Sequence, residues 1–235
     1  MPLKRLLILA FILIPIQLFG SDHHYTLDFS QIQGDALEWF NKNGWEEQVD
    51  MDKMNPRFEK GVLVIEPKKD YSGVFFKDFR PGFKHLKGYN KIRIEWGVEQ
   101  YPKGADWSGP IEEKRNVRNA LGVMIFFGDE EQDSGSLFVP NLPYFLAFFL
   151  GEKERPGKAF YGNYWKKGGR YFCIPCDGSI GNFMTEVELS KFFKQQFTFE
   201  APPISGIAIE ADATETNPKN GRHSKSYIKK IKLLP

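Results

Sequence analysis

Lys91-Ile92-Arg93-Ile94-Glu95-Trp96-Gly97-Val98-Glu99 places Ile92, Ile94, Trp96 and Val98 on alternate positions, with Arg93, Glu95 and Gly97 between them. A period of two puts one face of an extended chain into a core and the other towards water, so this stretch predicts a half-buried β-strand. Shorter runs of the same kind lie at Val62–Glu66 and Gly73–Phe76. Leu121–Phe127 and Ile204–Glu210 are apolar enough to predict central strands, and Tyr144–Phe149 is continuously apolar and predicts a buried one. In Ser226–Leu234, Ile231 and Leu233 are in phase and Ile228 is out of phase, which predicts a bulge near Lys229 and Lys230. Turn residues separate the runs at Arg80-Pro81-Gly82, Lys87-Gly88, Tyr101-Pro102-Lys103-Gly104, Arg155-Pro156-Gly157, Lys167-Gly168-Gly169 and Asn217-Pro218. Strands spaced by turns and not by helices predict a mainly β fold, an antiparallel β-sandwich of jelly-roll type.

One amphipathic helix is expected over Glu186–Phe197. Thr185 and Glu188 have capping-box spacing, Leu189, Phe192, Phe193 and Phe197 share one face, and Pro202-Pro203 follows. A weaker helical pattern lies at Asp35–Asn41.

The chain has 235 residues and a formal charge of +2, with aromatics at 15% including 22 Phe. Lys4 and Arg5, the apolar stretch Leu6–Phe19 and the small pair Gly20-Ser21 have the order of a secretory signal peptide over residues 1–20. The apolar stretch is shorter than the about 20 residues that a membrane-crossing helix needs, so it reads as a cleaved leader and not as an anchor. Residues 21–235 are then expected to form one domain in the periplasm or outside the cell, without a transmembrane span. Loss of Lys4 and Arg5 takes the formal charge from +2 to zero, which gives no electrostatic basis for nucleic-acid binding.

Three segments carry a family resemblance. Ile92–Val98 runs into Tyr101-Pro102-Lys103-Gly104-Ala105-Asp106-Trp107, then comes Gly122–Phe127, and later Pro202-Pro203-Ile204-Ser205-Gly206-Ile207-Ala208-Ile209 leads to Asp212 and Thr216. This combination resembles the bacterial family labelled domain of unknown function 3047. The resemblance implies an exported β-sandwich of lectin-like or galactose-binding-like shape. Asp212 and Thr216 match the family's late motif, whereas Thr214 stands where a second aspartate would be.

The candidate ligand surface is Tyr161, Asn163, Tyr164, Trp165, Lys166 and Arg170, rings interleaved with polar groups in a loop context. Flat rings stack on sugars while amides and cations take their hydroxyls. Cys173-Ile174-Pro175-Cys176 follows a strand-like Tyr171-Phe172 and leads into Asp177-Gly178, with no helix to activate a thiol. A small-loop disulfide is therefore expected in place of a redox site. His23, His24, His85 and His223 are too scattered to complete a zinc site with it. The acidic run Gly128–Asp133 is of the type that holds calcium, but it lacks a defined ligand spacing.

The leading expectation is a non-catalytic module for a carbohydrate or cell-envelope ligand. The alternative is a carbohydrate-active enzyme on the same scaffold. Tyr164–Tyr171 faintly resembles the Lys and Tyr strand of jelly-roll polysaccharide lyases, and Glu95 and Glu210 are strand carboxylates of the type a hydrolase pairs. A scaffold that binds proteins through sheet edges is a third class.

Overall fold

A computed structural model describes residues 25–81, 85–216 and 224–235. The leader-like segment, His23, His24, His223 and the Asn217-Pro218 turn lie outside them. One sheet joins β1 (Tyr25–Asp28), β3 (Arg57–Glu59), β4 (Val62–Ile65), β6 (Lys91–Gln100), β10 (Gly181–Glu188) and β12 (Lys225–Leu234). Its order is β10-β6-β12-β4-β3, with β1 also pairing β12. The second sheet has the order β2-β5-β11-β7-β8-β9, from β2 (Glu46–Val49), β5 (Ser72–Asp78), β7 (Asn119–Gln132), β8 (Leu142–Phe149), β9 (Gly169–Cys173) and β11 (Ile204–Asp212). The expected β-sandwich is present.

The core between the sheets takes Ile92, Ile94, Trp96 and Val98 from β6, and Ile228, Ile231 and Leu233 from β12. The other sheet contributes Leu121, Val123, Ile125 and Phe127 from β7. The register of β12 against β6 slips between Ile228 and Lys230. One extra residue there restores Ile228, Ile231 and Leu233 to a single face, as the phase break in the sequence predicts.

Two expectations change. The helix starts later: α2 is Leu189–Phe197, because residues 181–188 pair along β6 from Gly181↔Val98 to Glu188↔Lys91. The Thr185–Glu188 capping box does not form. Thr185 is buried, and its Oγ1 accepts the Trp96 Nε1–H at 3.0 Å. The earlier helix, α1 (Ala36–Lys42), is capped by Asp35, whose carboxylate accepts the Glu38 N–H at 2.8 Å.

The second change is that, among the described residues, β8 and β9 pair in parallel while the other strand pairs are antiparallel. Parallel neighbours require a crossover of a dozen or more residues. Here that crossover is residues 150–168. It passes over the outer face of the second sheet, and this face is therefore apolar too. Met124, Phe126, Phe145, Ala147, Phe149, Tyr171 and Ala208 join Trp107 and Phe160 in a second buried cluster. The uninterrupted apolar sequence of β7 and β8 reflects burial on both faces.

Among the described residues, no helix is long and apolar enough to cross a membrane.

Candidate functional site

The outer face of the second sheet carries a cavity of about 420 Å³, within the size range of small-molecule sites. Its floor is Val74 and Phe76 from β5, Ala208 from β11, and Met124 and Phe126 from β7. Alternation along each strand sets these residues outward while their neighbours fill the core. The walls are aromatic: Trp107, Tyr164, Trp165 and Tyr171, with exposed Phe138 and Val49 at the rim.

Each wall is held in place. The Trp107 ring lies 4.6 Å from Tyr171 and 5.0 Å from Phe149, centroid to centroid. Its Nε1–H donates to the Arg118 carbonyl at 2.9 Å, and its backbone N–H donates to buried Glu154 at 3.2 Å. Trp165 adopts a left-handed backbone, φ 52°, which costs a non-glycine residue about 1 kcal/mol or more. Neighbouring bonds fix it there. Its N–H donates to the Ser134 carbonyl, its Nε1–H donates to Pro140 at 2.8 Å, and its own carbonyl accepts from Gly169 at 2.7 Å. The loop over residues 133–141 and the crossover thus lock one another into a wall. Gly162 lies so close to the Tyr171 ring that a Cβ would come within 3.1 Å of it.

At one end the cavity is polar. Glu210 and Asp212 lie two apart on β11 and so face the same way. The Arg118 guanidinium approaches Asp212 at 3.3 Å and donates to the Thr214 carbonyl at 3.0 Å. Asp212 also accepts the Thr214 backbone N–H at 2.9 Å and its hydroxyl at 2.7 Å. Thr214 therefore donates a hydroxyl bond that an aspartate carboxylate in its place would not. Desolvation raises the Asp212 carboxyl against the pull of Arg118. Desolvation first, and then the charge of Asp212, push Glu210 up to about 7, opposed by a hydrogen bond from the Asn119 side chain and by Arg118. Burial carries the Tyr171 hydroxyl well above its usual value, with help from Glu210 and Asp212. It stays protonated at ordinary pH.

The sequence-based candidates divide. Asn163, Tyr164, Trp165 and Asp212 line the cavity; Tyr161, Lys166 and Arg170 do not. Arg170 alternates with Tyr171 on β9, so its side chain leaves by the opposite face. Its guanidinium lies between the Tyr161 and Phe197 rings, 4.5 and 4.9 Å from their centroids. Lys166 offers its carbonyl to Arg170. Thr216 is buried and donates to the Ala213 carbonyl, closing a turn away from the cavity. Cys173 and Cys176 form the expected disulfide. Glu95 cannot join Glu210, because it sits on the outer face of the other sheet near Lys229, 3.4 Å away. Asp129 and Glu131 of the acidic run pair with His85 and Arg80. Among the described residues, no three of the Cys, His, Asp and Glu side chains are grouped to hold a metal. Trp107, Arg118, Asn119 and Tyr171 were not among the candidates.

No family model matches the chain, and no curated protein matches it. Solved structures with some likeness include a single-site variant of the family 29 carbohydrate-binding module CBM29-2, 10% identical over 89% of this chain and 90% of that one, with a TM-score of 0.36. A second CBM29-2 variant, complexed with mannohexaose, is 9% identical over 89% of both chains, also with a TM-score of 0.36. The carbohydrate recognition domain of Emp46p, in its potassium-bound form, is 15% identical over 88% of this chain and 94% of that one, with a TM-score of 0.40. These likenesses are distant in sequence and loose in shape.

Proposed function

We propose that this chain is an exported, non-catalytic binding module for a carbohydrate of the cell envelope or its surroundings. The observation that carries the proposal is the cavity on the outer sheet face, where Trp107, Tyr164, Trp165 and Tyr171 surround a polar end made of Arg118, Asn119, Glu210 and Asp212. A pyranose has apolar C–H faces and a polar rim, so rings around it and carboxylates or amides at its edge meet both needs. Export rests on the leader-like order of residues 1–20.

Titration calorimetry of the chain against a panel of neutral, amino and acidic oligosaccharides tests the proposal. At least one oligosaccharide should bind, and Tyr164→Ala should weaken that binding about 10-fold, about 1.4 kcal/mol. If no glycan in the panel binds, the proposal fails.

A second reading, hydrolysis of a glycosidic bond, draws on one observation: Glu210 with its carboxyl pushed up to about 7, two residues from Asp212 on the same strand face. Release of reducing ends, abolished in Glu210→Gln, would replace binding with turnover.

A further inference from the structure

At the polar end of the cavity the cationic donor is engaged, and a carboxyl and an amide oxygen are left over. Among the described residues that line it, the charged side chains are Arg118, Glu210 and Asp212. The Arg118 donors turn to Asp212 and the Thr214 carbonyl, and Asp212 accepts from Thr214 as well. That leaves Glu210, which an Asn119 N–H reaches. The other end of the Asn119 amide is the second observation: Asn119 is 2% exposed, and its Oδ1 has no partner. This oxygen lies 3.5 Å from where a Gly122 Cβ would be. Gly122 is the residue opposite Glu210 on β7, on the face that carries Met124 and Phe126. Asn119 Oδ1 therefore sits on the cavity side of the sheet beside the carboxylate. From β5 the residue opposite Glu210 is Val74, which offers no charge, and from β9 the neighbour is the protonated Tyr171.

Building on the carbohydrate reading, we infer that the cavity selects an amino sugar, with the protonated amine against the Glu210 carboxylate and the Asn119 Oδ1. An ammonium brings three donors and a second positive charge to an end where Arg118 alone faces two carboxyls. The surrounding faces of Trp107, Tyr164, Trp165 and Tyr171 carry negative π density, which favours a cation within about 6 Å of a ring centroid. A uronate would add a like charge beside Glu210 and Asp212. An N-acetyl group would exchange two donors for a carbonyl acceptor, and its single N–H could serve only one of Glu210 and Asn119 Oδ1; the acceptor left unpaired costs about 1–3 kcal/mol on general grounds.

The test is calorimetry of the whole chain at about pH 7, where the Glu210 carboxyl is about half ionised, with matched β-linked oligomers: glucosamine, N-acetylglucosamine, glucose and galacturonate. The glucosamine oligomer should bind at least about 10-fold more tightly than the other three, and in Glu210→Gln the preference over the N-acetylated oligomer should shrink to within about twofold. Circular dichroism melting of that variant shows that the fold survives. Equal or tighter binding of the acetylated, neutral or acidic oligomer overturns the amine assignment and leaves carbohydrate binding standing. Silence from all four overturns the amine assignment, and the carbohydrate reading falls only if the wider panel is silent as well. A lysine oligopeptide that binds as tightly as the glucosamine oligomer would also overturn the assignment, since the amine recognised would then not be a sugar's.

Discussion

Glu210→Gln should make the protein more resistant to unfolding at alkaline pH, because the native carboxyl is held near pH 7 by its surroundings. In the folded chain Glu210 titrates at about 7, against 4.5 for an ordinary glutamate. Between these values the folded state binds more protons than the unfolded one, so stability falls as pH rises. The contribution is fully present below 4.5 and is lost as pH passes through 7. A gap of about 2.5 pH units at about 1.36 kcal/mol each gives about 3 kcal/mol at most. It is an upper value because Glu210 stays partly open to the cavity. Against a typical domain stability of about 5–15 kcal/mol this is readily measured. Urea unfolding of wild type and Glu210→Gln across about pH 4–9 gives a difference curve in which every other titration cancels, except through Asp212. The curve should be flat at acid pH and then rise in favour of the variant, levelling off above about pH 8. A flat curve throughout, or a rise in favour of the wild type, would mean that the fold does not hold the Glu210 carboxyl near 7.

Arg118→Met leaves Asp212 without its cation at 3.3 Å; with both side chains partly accessible, chemical denaturation should show a loss of about 2 kcal/mol, and glycan binding should weaken as the polar end rearranges. Arg170→Met should leave glycan affinity within twofold of wild type in calorimetry. It should lower stability by about 1 kcal/mol through its lost contacts with the Tyr161 and Phe197 rings, and a large loss of affinity would return Arg170 to the site. Reduction of Cys173–Cys176, or the double change to Ser, should cost at most about 2 kcal/mol because the loop it closes is short. Insulin-reduction assays should show no dithiol turnover.

The alternation in Lys91–Glu99 and the phase break before Ile231 foretold β6 and the slip in β12, because a sheet with one buried face writes its period directly into the chain. The start of α2 was misplaced at Thr185–Glu188. A local capping pattern there is outweighed by eight residues of pairing with β6 and by the bond between Trp96 and Thr185. Half of the site was legible. Asn163, Tyr164 and Trp165 share one loop, whereas Trp107, Asn119 and Tyr171 meet them only through sheet pairing and the crossover. Glu210 was considered with Glu95, which the fold places on the opposite outer face. One signal for the rest was present in the sequence: β7 and β8 are apolar on both faces, which an antiparallel strand with a solvated side would not be. Something had to cover that second face, and the cover is the wall of the cavity.

The chain has five tryptophans. Trp107 and Trp165 line the cavity, whereas Trp39, Trp45 and Trp96 belong to the core between the sheets or pack against it. A titration with the bound glycan, followed by the indole N–H resonances in a ¹⁵N-labelled sample, separates the two groups. If the cavity is the glycan site, the Trp107 and Trp165 signals shift saturably and the other three stay unmoved. Shifts confined to Trp39, Trp45 or Trp96, with Trp107 and Trp165 silent at saturation, would contradict that assignment.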